Sequence, residues 1–357
     1  MASSQTSETD APIAGTPLSS RSRLLRSLSL FKDRRLRGVL QLALSLVLLA
    51  WLANRVGFDA IASTLASVSW TWYLPAFVLF LGNILLRAYR WYVLVTALDH
   101  HVSYGRLLYL YFLGFFFNNF IPSGFGGDVV KVLSLQQDRG RGAEALSSVV
   151  MDRLTGLIGS AAIALVVLIW NGVQSWFGGR TTQLNLPPLL LLITALVSIG
   201  IPGGFVLIRW FDPLELLSQH LPSIRRVTDH PGLRGFTRTI RGYPPRALVG
   251  ALSVSLPFTV GLVAIQYAIA LALTVDVPFY LFFLFVPLIA IINTLPISFN
   301  GLGMREGVYQ FLFVPAGVPS ASAIAMSLAF YFLRVAAGLI GGLLYAVKSI
   351  RRLAGAA

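Results

Sequence analysis

Asn119-Phe-Ile-Pro122-Ser-Gly-Phe125-Gly-Gly127-Asp-Val-Val-Lys131 recurs, at one constant offset of 174 residues, as Asn293-Thr-Leu-Pro296-Ile-Ser-Phe299-Asn-Gly301-Leu-Gly-Met-Arg305. Asn, Pro, Phe and Gly repeat identically, and Lys131 is matched by Arg305. Each stretch interrupts an otherwise apolar region, 107–137 in one case and 279–316 in the other. Proline removes a backbone donor and blocks the helical path, and glycine lowers helix propensity. The spacing therefore predicts two helical hairpins, broken at Pro122–Gly127 and Pro296–Gly303.

Six further stretches around them are long and apolar enough for full spans: 36–55, 73–97, 148–170, 187–208, 247–272 and 322–347. A bilayer core of ~30 Å needs ~20 such helical residues. The whole chain agrees, with 56% hydrophobic and 12% charged residues and a mean hydropathy of +0.74. The expectation is an all-α membrane protein.

Topology follows from Lys and Arg, which concentrate on the cytosolic side of a membrane. Seven lie between Arg21 and Arg37, seven in the loop 209–246, and Lys348, Arg351 and Arg352 near the C-terminus. Placing all of these in the cytosol leaves Arg55 and Arg180 outside. The segment 107–137 must then enter from the cytosol and return to it; by the same logic 279–316 enters from the far side and returns there, the alternative being that its longer arms cross more fully. The offset of 174 also lays 73–97 on 247–271 and 148–170 on 322–344. Each half thus holds three spans and a re-entrant hairpin. Three is odd, so the two repeats, 36–170 and 187–347, are inverted. The expected frame is completed by a disordered basic cytosolic tail at 1–35 and a cytosolic tail at 348–357. Both termini are then cytosolic, in the inner (cytoplasmic) membrane.

Paired broken segments in inverted repeats point to a transport site near the midplane. Irregular backbone survives at that depth only under protein or beside a wet cavity. Freed N–H groups and glycines let a phosphate approach. Candidate binding residues are therefore Asn119, Ser123, Gly124, Gly126 and Gly127 in the first hairpin, and Asn293, Ser298, Gly301 and Gly303 in the second. The structural alternative is a pair of Pro/Gly kinks packed by neighbouring helices.

Charges inside the apolar segments extend the list. The cations are Arg87, Arg90, Lys131, Arg153, Arg305 and Arg334, and the acids are Asp128, Asp152 and Glu306. A cation at the bilayer centre costs about 2.5–3.5 kcal/mol on insertion scales, so it needs a partner or water. Arg334 lies near the middle of the last span. Arg87 and Arg90 also read as snorkelling side chains, and Asp152-Arg153 as a helix-terminal ion pair. Lys131 and Arg305 also read as neutralising partners of Asp128 and Glu306. The excess of cations argues for an anionic guest, and phosphate suits their geometry.

Several chemistries are excluded. No cysteine is present, so thiolate sites and disulfides are absent. The four histidines lie in polar connectors, and no zinc, nucleotide or serine-hydrolase motif occurs. Neither cofactor nor metal is expected. The net charge of +14 is dispersed between apolar runs, so nucleic acid is not an expected partner.

Asn118-Asn-Phe-Ile-Pro-Ser-Gly-Phe-Gly-Gly-Asp-Val-Val-Lys131, Asp152-Arg-Leu-Thr-Gly-Leu157 and Leu295-Pro-Ile-Ser-Phe-Asn-Gly-Leu-Gly-Met-Arg-Glu-Gly307 resemble the lysylphosphatidylglycerol synthase transmembrane region, a flippase-like membrane family. Arg87-Ala-Tyr-Arg-Trp91 is similar too, and the resemblance runs from about 36 to 347. It implies lipid or glycolipid translocation. In aminoacyl-lipid members a soluble transferase domain follows the membrane region. None follows within these 357 residues, so lipid aminoacylation is not expected of this chain.

The expected function is movement of an anionic phospholipid or lipid-linked headgroup across the membrane, without catalysis. The expected partners are membrane lipids, a separate lipid-modifying enzyme and a second copy of the chain. The rival readings are a small-anion transporter, a membrane enzyme acting on lipid-linked sugars or phosphates, and an accessory subunit of such an enzyme.

Overall fold

The computed structural model describes residues 58–98, 102–120, 126–139, 142–176, 188–211, 231–294 and 302–354. The predicted first span 36–55, the N-terminal tail, Ser123, Gly124, Ser298 and Gly301 lie outside them. The described residues are helical, with turns between the helices and no strand among them. Apolar runs in lipid have no water for their backbone groups, and the helix satisfies those groups internally.

In chain order the helices are α1 (Phe58–Ala66), α2 (Trp70–Thr96), α3 (Tyr104–Phe120), α4 (Gly126–Arg139), α5 (Gly142–Trp176) and α6 (Pro188–Trp210). They continue as α7 (Pro231–Gly242), α8 (Pro245–Ala272), α9 (Phe279–Ile292), α10 (Met304–Phe313) and α11 (Ser320–Ala354), with one tight 3-10 turn at Val314–Ala316. Five of them, α2, α5, α6, α8 and α11, are long and apolar enough to cross a membrane. At ~1.5 Å per residue the 35-residue α5 and α11 are roughly 50 Å long and outlast the ~30 Å core. The arms α3, α4, α9 and α10 have 17, 14, 14 and 10 residues, each shorter than the ~20 that a span needs.

α9 ends at Ile292 with Asn293 as its C-cap, and α10 starts at Met304 after Gly303, on either side of the second expected break. The first expected break, at Pro122–Gly127, falls largely outside the described residues, which resume at Gly126 with α4. Gly303 precedes α10 with φ of 79°, a backbone state that glycine enters without steric cost. The arms α3 and α4 pack side by side. A methyl on Gly127 would collide with the Gly114 carbonyl, so the close contact needs glycine there.

The long helices share a pattern of partners. α2 lies along α8, α3 packs on α11, and α9 packs on α5. Small residues allow these approaches. The α3–α11 contact sets Gly338, Gly341 and Gly342 against Phe112, Phe115 and Phe116. In the α2–α8 contact, Gly261 leaves room for the Asn83 amide, whose oxygen would stand 2.9 Å from an added methyl. Near the second hairpin, Phe282, Phe285, Tyr309 and Phe313 form a buried aromatic core with centroids 5.0–5.7 Å apart. Edge and stacked ring contacts add to the area that such side chains bury.

Two stretches outside the predicted spans carry helix. The segment 209–246 is not simply a loop, because it contains helix α7. Ile240 gives α7 an apolar anchor, buried with Met151, Tyr243 and Leu248. Arg234, Arg238 and Arg241, spaced four and three apart, share one face of that helix. The expected tail 348–357 is likewise helical up to Ala354, as a continuation of α11.

Candidate functional site: a basic cavity between the helices

Asn83, Arg87 and Arg90 follow one another at spacings of four and three, which aligns them along one face of α2. That face looks into a cavity of about 250 Å³. Both broken segments reach it. Asp128 and Lys131 line it from α4, Tyr111 and Asn118 from α3, and Asn293 and Thr294 from the end of α9. Arg153 of α5 and Arg334 of α11 complete its charged wall, and Phe258 and Phe330 supply apolar surface.

Arg90 and Asp152 are almost sealed from outside, at 1% and 2% exposure. Arg90 Nε donates to Asp152 Oδ1 at 2.8 Å, and its Nη1 donates to Ser255 Oγ on α8 at 3.3 Å. The Tyr111 hydroxyl donates to Asp152 Oδ2. A methyl on Gly156 would stand 2.7 Å from Arg90 Nη1, so the glycine of Asp152-Arg-Leu-Thr-Gly156 makes room for the guanidinium. The guanidinium also faces the Phe258 ring at 5.0 Å. Asp152 is thus held behind the cavity wall and fixes Arg90.

Asp128 bridges two helices. It pairs with Arg153 of α5 and stands 3.5 Å from Lys131 Nζ of its own helix. Lys131 Nζ lies 3.5 Å from the centre of the Tyr111 ring and 5.4 Å from that of Trp91, whose indole N–H donates to Ser148 Oγ. Aromatic faces stabilise a desolvated ammonium. Lys131 is therefore held by one carboxylate and two rings.

Five cations (Arg87, Arg90, Lys131, Arg153 and Arg334) line the cavity with Asp128, and Asp152 stands behind Arg90. Positive charge exceeds negative in a low-dielectric interior, where an anion is strongly favoured. Polar atoms there also lack protein partners: both amide atoms of Asn83, the Asn293 oxygen and Arg87 Nε. Buried polar atoms of this kind call for water or a polar guest. Among the described residues no three His, Cys, Asp or Glu side chains gather as a metal site would require.

The charges at the start of α10 lie elsewhere. Arg305 and Glu306 are fully buried, paired at 2.7 Å, and do not line the cavity. Glu306 accepts from Gly303 N–H at 2.6 Å and from Ser327 Oγ at 2.9 Å, and Arg305 Nε donates to Ser327 at 2.7 Å. Reaching back to the backbone before the helix is a capping contact, so this cluster fastens the start of α10 onto α11. Of the two adjacent asparagines, Asn118 faces the cavity and accepts Gly127 N–H at 2.7 Å. Asn119 packs against Gly338 instead. Gly126 opens α4, and Gly127 forms the α3 contact.

Sequence reasoning missed Asn83, Tyr111, Asn118 and Thr294. Asn83 carried a usable signal, since a polar residue four before Arg87 shares its helix face. Nothing in the sequence separates Tyr111 from Tyr109.

The family model of the lysylphosphatidylglycerol synthase TM region matches residues 38–342. The chain is also similar to a UPF0104 membrane protein of Methanothermobacter thermautotrophicus, at 25% identity over 316 residues that cover 81% of this chain and 88% of that protein. The match takes in every residue that lines the cavity, and the chain belongs to the lysylphosphatidylglycerol synthase transmembrane-region family.

Proposed function

We propose that this multi-pass membrane protein carries an anionic phospholipid or lipid-linked headgroup across the cytoplasmic membrane, with both termini in the cytosol. The observation that carries the reading is the cavity among long apolar helices, lined among the described residues by five cations and a single carboxylate. About 250 Å³ lies just below the usual range of ligand pockets, roughly 300–1,000 Å³. It suits a headgroup whose acyl chains stay in the lipid. Arg and Lys pair with phosphate by charge-assisted hydrogen bonds.

The two halves act as inverted repeats in this reading. Helix α8 starts 175 residues after α2 (245 against 70), and α9 starts 175 after α3 (279 against 104). The packing is reciprocal: an arm of the first hairpin, α3, meets the last long helix of the second half, and α9 meets that of the first. A twofold relation between halves would produce this exchange. Rocking of one repeat against the other would open the cavity to alternate sides. The step makes and breaks no covalent bond, and the partners are membrane lipids and a separate enzyme that modifies them.

Proteoliposomes test the reading. Labelled phosphatidylglycerol should equilibrate between leaflets at least about tenfold faster than in protein-free vesicles, a difference of about 1.4 kcal/mol in barrier. Labelled phosphatidylcholine should gain less. Equal rates with and without protein would refute lipid transport. Uptake of free phosphate without lipid movement would favour a small-anion transporter.

A further inference from the structure

We infer that the Asp128 carboxylate is a built-in stand-in for the guest's phosphate, occupying Lys131 and Arg153 until a phosphate-bearing headgroup displaces it. This rests on the cavity being an anion site. The two acids at the site are held differently. The Asp152 side chain is 3% exposed, and both of its oxygens accept close hydrogen bonds, from Arg90 and Tyr111. The Asp128 side chain is 15% exposed and forms part of the cavity wall. One of its oxygens pairs closely with Arg153, and only the other is loosely held, 3.5 Å from Lys131 Nζ, the far limit of a hydrogen bond.

Its partners are built to survive its departure. The rings of Tyr111 and Trp91 hold the Lys131 ammonium in place when the carboxylate leaves. The Arg153 fork takes two oxygens of a phosphate as readily as those of a carboxylate. Asp128 lies in the first turn of α4, so a phosphate in its place also meets the positive end of that helix.

Competition by a tethered anion has two consequences. The guest's apparent affinity is reduced by the fraction of time that the carboxylate spends away from the cations. The returning carboxylate also expels the guest, which speeds release.

Asp128→Asn keeps the shape and removes the charge. In detergent, calorimetric titration with glycerophosphate should give binding about tenfold tighter than wild type, about 1.4 kcal/mol. In proteoliposomes the half-saturating phosphatidylglycerol content should fall, and so should the maximal rate. Arg153→Gln should weaken glycerophosphate binding in the same titration. Where D128N does not fold, Asp128→Ser removes the same charge and carries the same expectation. Unchanged or weaker binding in a folded Asp128 variant, beside a wild type that binds and transports, overturns this inference and leaves the transport reading standing. A wild type that neither binds glycerophosphate nor moves lipid overturns both.

Discussion

Asp152→Ala is expected to destabilise the protein by about 3–5 kcal/mol, the usual cost of removing one member of a buried ion pair. Arg90 would keep its charge at 1% exposure with, among the described residues, only the Ser255 hydroxyl left as a hydrogen-bond acceptor. The Tyr111 hydroxyl would lose its acceptor as well. The loss should appear as a lower melting temperature and a smaller monodisperse fraction in detergent. Replacing both partners, as in Arg90→Met with Asp152→Leu, should recover much of it, because no uncompensated charge remains. A melting temperature unchanged by Asp152→Ala would mean that the pair does not bind α2 to α5.

Arg334→Ala is expected to act on transport instead. Its side chain lines the cavity from α11, together with the cations of α2, α4 and α5. A charged hydrogen bond contributes about 1.5–3 kcal/mol, so losing one made to a translocating phosphate should slow transport roughly 10- to 150-fold. Movement of a headgroup without net charge should change less, and the melting temperature should stay near wild type. Arg334→Lys should restore part of the rate, since it keeps the charge and loses the planar fork. Wild-type phosphatidylglycerol rates in Arg334→Ala would remove this residue from the site.

The membrane class was legible because lipid demands long apolar helices, and 56% hydrophobic composition leaves few alternatives. The interruption between α9 and α10 was legible because Pro296 and its neighbouring glycines sit inside an apolar run. Cations in apolar segments carry a large insertion cost, so most of the cavity's charged wall could also be read directly: Arg87, Arg90, Lys131, Arg153 and Arg334. The same rule marks any buried charge, and it does not tell a cavity cation from one consumed in a structural pair. Arg305 and Glu306 were therefore grouped with the site, although Ser327 and the Gly303 backbone absorb them. Which asparagine faces inward depends on the rotation of α3, about 100° per residue, and the repeat pattern pointed to Asn119 where Asn118 lines the cavity. Helix α7 was hidden by its arginines, because a dozen residues rich in charge and glycine read as loop until Ile240 finds its apolar neighbours.

The central claim is that an anionic headgroup occupies the basic cavity between the two broken segments. A structure of the protein in nanodiscs of phosphatidylglycerol tests it most directly. The account predicts a phosphate within hydrogen-bonding distance of Lys131, Arg153 and Arg334, with its acyl chains leaving between helices toward lipid. Phospholipid density confined to the outer faces, with only water among those three side chains, would contradict it.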